Sequence, residues 1–190
     1  MDAYQLGSYR LLGNYASGDR SFERIDLREC NLSDRQLTDI RLCWADLTSV
    51  NLSNAQLNNA DLTGAMMWRA NLGKASLLWV NLHRAVMVRC EAPNANFSGA
   101  CFHRTDLRLA NLRGANLSGA DLRGAKLCYS DLRSANFTGA DLTGADLTGA
   151  KLTGACLEAV CWQAVLLTSE QLEAEQQDSI SSASQSLTAV

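Results

Sequence analysis

Several things are missing from this 190-residue chain, and each absence removes a class of function. No apolar run approaches the roughly 20 residues that span a bilayer, so no transmembrane helix and no membrane partner is expected. The N-terminal residues lack a basic stretch leading into an apolar core, so no secretion signal is expected. The seven cysteines are odd in number and show no CxxC spacing, which suits a reducing cytoplasm better than a disulfide framework. Charge of one sign is scarce too: the formal net charge is −3, which marks neither a nucleic-acid binder nor a strongly acidic protein. There is no Ser–His–Asp pattern, no paired carboxylates and no phosphate-cradling loop. The expectation is therefore a non-enzyme with no catalytic residue and no cofactor.

What the chain has is a beat of five. The stretch GADLTGADLTGAKLTGA, from Gly139 to Ala155, shows it most plainly. Taking every fifth residue from Phe22 to Leu167 gives thirty positions, all apolar, of which twenty-two are Leu. Two residues before these centres, eighteen of the thirty positions are Ala, and the residue just before the centre is Asn or Asp sixteen times. In an extended segment a centre and the residue two before it share a face, so one large and one small side chain point inward. The other three positions point outward. For the inward geometry to return every five residues, the chain must turn a corner once per repeat. Nine of the thirteen glycines sit two residues after a centre, where a type II turn needs positive φ. A helix fails the same test, because at about 100° per residue the centres would be spread round every side.

The runs NLSGADLRGAKL and ADLTGADLTGA resemble the pentapeptide-repeat family, whose consensus is A(D/N)LXX, and the likeness extends from Arg20 to Leu167. The resemblance implies an all-β fold, a right-handed quadrilateral β-helix with four repeats per coil. Residues 20–167 would then make about 7.5 coils, at roughly 4.8 Å each. Residue n stacks on n+20, which lines up Phe22, Leu42, Leu62, Leu82, Phe102, Leu122, Leu142 and Trp162 in one inner column. Ala92, between Leu72 and Leu112, predicts a locally thin core, with Cys90 filling part of it and Pro93 at a turn position. Residues 1–19 read as an N-terminal cap with helix-like apolar spacing. A short C-terminal capping helix is expected over 168–178, followed by a Ser-rich disordered tail over 179–190.

Departures from the consensus mark candidate sites. They concentrate between Ala65 and Cys90, where Met66, Trp68, Leu78, Trp79, Val86 and Val88 stand at outward positions. The twenty-residue rule puts Met66 beneath Val86, Trp68 beneath Val88 and Arg69 beneath Arg89, with Arg108 and Leu109 continuing the last two columns. An apolar cluster flanked by arginines is the composition of a protein interface, including one between two copies in a homodimer. Trp79 and Leu78 fall two corners away. The two histidines, His83 and His103, stack with Arg84 and Arg104 beside them, a candidate anion contact; the arginines and the open convex surface oppose a metal there.

Three functions compete. The favoured one is a scaffold or regulator that binds another protein. Some members of the family that the repeats resemble act as DNA mimics on DNA gyrase, which requires an acidic rod. Here Glu170, Glu173, Glu175 and Asp178 carry −4 of the net −3, leaving +1 on the first 169 residues. Weak nucleic-acid binding through an arginine belt from Arg104 to Arg133 is the third, and the acids interleaved in that belt oppose it.

Overall fold

The computed structural model describes residues 3–168. The predicted cap over 168–178 and tail over 179–190 therefore lie, but for Thr168, outside the described residues.

The repeat segment is a right-handed quadrilateral β-helix. Parallel single-residue bridges join residues twenty apart, from Ser21↔Arg41 to Asp146↔Leu166, and every one falls on the residue before a centre. The four sides are named here by their inner columns: the first begins at Phe22, the second at Leu27, the third at Leu32 and the fourth at Leu37.

The consensus is explained by where each backbone N–H goes. In the repeat Ala115–Gly119, the Ala115 N–H closes a turn on the Leu112 carbonyl at 3.0 Å. Asn116 donates to Ala95 of the preceding coil at 2.9 Å, and Leu117 and Gly119 donate to Asn136 and Thr138 of the following coil. The fifth N–H, on Ser118, is accepted by the Asn116 side-chain Oδ1 at 3.1 Å. An Asn or Asp before the centre thus supplies the one acceptor that the neighbouring coils do not, and every amide of the repeat is satisfied.

The last residue of each repeat holds positive φ whatever its identity: 68° at Gly139, but also 59° at Trp44, 53° at Trp79 and 58° at Tyr129. Glycine adopts this at no steric cost, whereas other residues are strained by about 1–2 kcal/mol each. Three aromatics at this corner share a device: the residue twenty later is glycine. A Cβ on Gly64 would fall 2.3 Å from the Trp44 ring, one on Gly99 2.5 Å from Trp79, and one on Gly149 2.6 Å from Tyr129. Each ring lies over the bare backbone of the next coil.

Inside, the Leu centres and their Ala partners are closed to solvent through coil after coil. Phe97 and Phe102 meet edge-on at 5.1 Å across adjacent sides. Ala92 and Cys90 are both buried, and Pro93 takes the first central position of its turn. Where the small inward position is polar, the hydroxyl finds a carbonyl: Thr105 donates to Leu82 at 2.7 Å and Ser130 to Leu127 at 2.6 Å. Arg35, inward by the pattern, is instead exposed in the first coil.

The first coil is met by helix α1 (Ala3–Ala16). Leu11 is buried against the core, Tyr15 donates its hydroxyl to the Thr38 carbonyl at 2.9 Å, and Arg20 stacks on the Tyr15 ring at 3.9 Å. A Cβ on Gly7 would lie 3.2 Å from the Asp26 carbonyl, so the helix crosses the coil closely there. It ends in a Schellman motif: Asp19 donates to Asn14, Gly18 donates to Tyr15, and Gly18 has φ of 98°. At the other end, burial weakens at Leu157 and Leu167, which are only partly shielded.

Candidate protein-binding surface

The second side carries the unusual residues. Met66 bridges Val86 in its mid-face column, and in the next column outward Trp68 precedes Val88 and Arg108. Met66 and Trp68 are 46% and 45% exposed. Val86 is half-buried. Val88 departs from the sequence expectation: it occupies an outward position, yet it is only 7% exposed. A short β-branched side chain between the longer Trp68 and Arg108 does not reach past them, so Val88 contributes to the floor of the patch and not to its face.

Met66 and Val86 replace the carboxylate or amide that would accept the N–H two residues on. Among the described residues, neither the Trp68 nor the Val88 amide donates a hydrogen bond. On the fourth side one such loss is repaired: Ser76 also replaces Asn or Asp, and there Asn58 reaches across to accept from the Leu78 N–H at 3.1 Å. No such repair exists at Trp68 or Val88. Nor, among the described residues, does one exist at Cys43, His103 or Cys128, where Arg41, Cys101 and Lys126 replace the acceptor. What sets Met66 and Val86 apart is that they replace it with apolar side chains.

Arginines stand at both corners of the side. Arg84 and Arg104 occupy the corner leading into it, and Arg69 and Arg89 the corner leaving it. All four are exposed, and among the described residues none forms an ion pair. Arg108 is different. Its guanidinium is held by Asp106 two residues before, through Nε at 2.8 Å and Nη2 at 2.7 Å. The same Asp-Leu-Arg pairing joins Asp26 to Arg28, Asp121 to Arg123 and Asp131 to Arg133. It follows from geometry, since the residues either side of a centre both point outward. The Arg133 guanidinium beside Asp131 holds that carboxyl down at about 2, and Arg123 likewise lowers Asp121. In the belt from Arg104 to Arg133, three of the six cations, Arg108, Arg123 and Arg133, are neutralised in this way.

Two residues that the sequence reading passed over extend the surface. Trp44, at the corner leading into the second side, and Tyr129, beyond Leu109 in the corner column, are both exposed. Applying the twenty-residue rule to glycines would have found them, because each aromatic is followed by a glycine one coil later. Leu109 is exposed, and Leu166 continues the mid-face column at the far end. Trp79, 66% exposed, and half-buried Leu78 lie on the fourth side, away from this group. The histidine rings of His83 and His103 are stacked with centroids 5.2 Å apart, both half-buried, next to Arg84 and Arg104. Among the described residues, no group of three or more His, Cys, Asp or Glu is arranged to hold a metal. Burial pushes the Cys43 and Cys128 thiols up to about 11 and Cys90 to about 12, which leaves them protonated and unreactive.

Compared with known families, residues 25–64, 75–114, 93–127 and 115–154 match the model of pentapeptide repeats, in 8 copies. The stretch 65–74, which contains Met66, Trp68 and Arg69, falls outside these matches. Among solved structures, the chain is similar to a pentapeptide repeat protein from the thylakoid lumen of Arabidopsis thaliana, with 29% identity and a TM-score of 0.52 over 54% of this chain and 71% of that one. It is also similar to a trypsin-treated form of QnrB1, a plasmid-mediated fluoroquinolone resistance protein, over 84% of this chain and 90% of that one. With 21% identity and a TM-score of 0.56, that likeness concerns the fold alone. A search of curated proteins finds no match. No helix among the described residues is long and apolar enough to cross a membrane.

Proposed function

This chain belongs to the pentapeptide repeat family, and from that premise we propose that it is a non-enzymatic scaffold or regulator that binds another protein through its second side. One observation carries the reading. Met66 and Val86 give up a backbone hydrogen bond per repeat, with no repair, to place Met66 and Trp68 in solvent between four arginines that lack carboxylate partners. A residue choice that costs stability and gains nothing in the rod is expected where a partner supplies the compensation. Exposed Trp, Met and Arg around a shielded floor have the composition of a binding hot spot. The cytoplasm, a reducing compartment, suits seven cysteines without a disulfide framework.

The test compares captured partners, or self-association, for the wild type, Trp68→Asp with Met66→Asn, and Trp79→Asp. A partner kept by Trp79→Asp and lost by the double variant supports the second side; equal capture by all three removes it. Val88 is avoided because a buried position would confuse binding with folding.

DNA mimicry on gyrase is the other reading the family suggests. It needs uncompensated acids, and Asp106, Asp121 and Asp131 are each engaged by an arginine. Inhibition of gyrase supercoiling by the purified protein at low micromolar concentration would reverse this ranking. Weak nucleic-acid binding through the arginine belt is disfavoured by the same pairs, and a salt-dependent gel shift tests it. An anion held by His83, Arg84, His103 and Arg104 would sit beside the second side and add to a recognition surface for acidic groups.

A further inference from the structure

We propose that the occupant of the second side in the free protein is the chain's own acidic segment, residues 169–178, which an external partner must displace. The inference rests on reading that side as a binding surface, and it adds how the surface is regulated.

Three observations point to this segment. The first is where the described chain leaves the rod. Thr168 lies in the same outward column as Trp68, Val88, Arg108, Cys128 and Thr148, just after Leu166 bridges Asp146. The described chain therefore ends on the second side itself, in the column that holds the patch. The second is reach. Thr168 is four coils from Val88 and five from Trp68, about 19 and 24 Å at roughly 4.8 Å per coil. Ten residues of extended chain span about 33 Å, which is enough to bring Asp178 past Trp68.

The third observation is charge. The segment SEQLEAEQQD carries Glu170, Glu173, Glu175 and Asp178 and no Lys or Arg, with Leu172 and Ala174 among them. Facing it are Arg69, Arg89, Arg84 and Arg104, all exposed and, among the described residues, without ion pairs. The rod neutralises Arg108 on this surface through Asp106. Exposed Arg24, at the corner of Arg84 and Arg104, and Lys126, in the mid-face column, likewise form no ion pair among the described residues. With the four corner arginines they oppose the acids of the segment in sign. Tethering makes weak pairing sufficient, since a short linker gives an effective concentration on the order of millimolar.

The experiment uses the full chain with photo-crosslinking p-benzoylphenylalanine in place of exposed Leu109, between Arg89 and Tyr129 in the corner column. Crosslinks mapped by mass spectrometry are expected within the same molecule, to residues 169–178, with a yield independent of protein concentration. The yield should fall severalfold in 1 M salt, where the Debye length shrinks to about 3 Å. It should also fall severalfold in Arg69→Glu with Arg89→Glu, and return when Glu170, Glu173 and Glu175 are changed to Lys in the same molecule. Circular dichroism checks that each variant is folded. Crosslinks confined to other segments, a yield that rises with concentration, or no loss on charge reversal overturns the proposal. A segment that covers the last coil instead would show as crosslinks from a probe at Leu157 and none from Leu109, which also overturns it. None of these readouts involves an external partner, so this inference can fail while capture by the second side stands. If the inference holds, cutting the chain after Thr168 should tighten partner binding by about tenfold for a segment that occupies the side nine-tenths of the time.

Discussion

Residues 111–150 and residues 65–90 build the same coils from very different surfaces. In the first stretch the position before the centre is Asn or Asp in every repeat but that of Lys126. Those side chains cap the next turn and ladder along the rod, as Asn116 does to Asn96 at 3.2 Å. In the second stretch Met66 and Val86 break the cap, and the family model itself passes over 65–74. Yet the interior is continuous through both: Met67, Leu77 and Met87 are as closed to solvent as Leu117 and Leu122. The backbone register is held by the inward residues and the intercoil amides, so outward positions are free to vary at the cost of one hydrogen bond each.

If that separation of inside from outside holds, core truncation should not distinguish the regions. Leu72→Ala and Leu122→Ala should each destabilise by about 2–5 kcal/mol, through lost transfer energy and the cavity left behind. Chemical unfolding of the two variants checks this; a much smaller loss at Leu72 would show that the departures reach the core. The corner glycines should differ next. Gly139→Ala meets only the positive-φ strain, about 1 kcal/mol, because nothing lies within 4 Å of its added Cβ. Gly64→Ala must also displace the Trp44 ring, adding about 1–3 kcal/mol. Trp44→Ala should erase that extra cost in a double-mutant cycle, and an additive cycle would show that the ring swings aside freely.

The third effect has opposite signs in the two regions. Asn116→Ala removes a turn cap and should lower stability by about 1 kcal/mol, whereas Met66→Asn restores one and should raise it by about 0.5–1.5 kcal/mol. Thermal unfolding of both variants tests this. The stabilised Met66→Asn protein should bind its partner more weakly, which separates a functional choice from an unfilled position.

Much of this molecule was legible because its repeat has one geometric meaning. A strict five-residue phase places every centre inside, and the resemblance to A(D/N)LXX supplies the four-fold coil that turns position into stacking. Met66 beneath Val86 and His83 beside His103 followed from counting alone. Burial did not follow: counting marks Val88 as outward but is blind to the length of Trp68 and Arg108 around it. Nor did counting charges separate paired from unpaired arginines. That needed the geometric fact that an Asp before a centre and an Arg after it lie side by side, so that Arg133 is engaged while Arg89 is not. Trp44 and Tyr129 were missed because the departures were sought in one stretch, whereas these aromatics are announced by glycines a coil away.

The smallest expected difference is in acid. On the consensus side Asp131 is held at about 2 chiefly by its hydrogen bonds to the Arg133 guanidinium, and Asp121 is lowered by Arg123. In the unfolded chain both return to the ordinary carboxylate value near 3.9. A folded pKa below the unfolded one means that the native state favours the ionised form. The resulting stability is fully present above the unfolded value and is lost as pH falls through the folded one. Each pair is partly solvated, so its worth is about 1 kcal/mol or less. Asp121→Asn with Asp131→Asn keeps the amide acceptor for the turn and removes the charge that pairs with each arginine. The wild type should therefore be the more stable of the two at neutral pH, by about 2 kcal/mol at most, and should lose that lead between pH 5 and about 2, where the two converge. Met66 and Val86 themselves carry no carboxylate to protonate and add nothing to that difference. Equal acid slopes for wild type and variant would mean that the Asp-Leu-Arg pairs stabilise the unfolded chain as much as the rod.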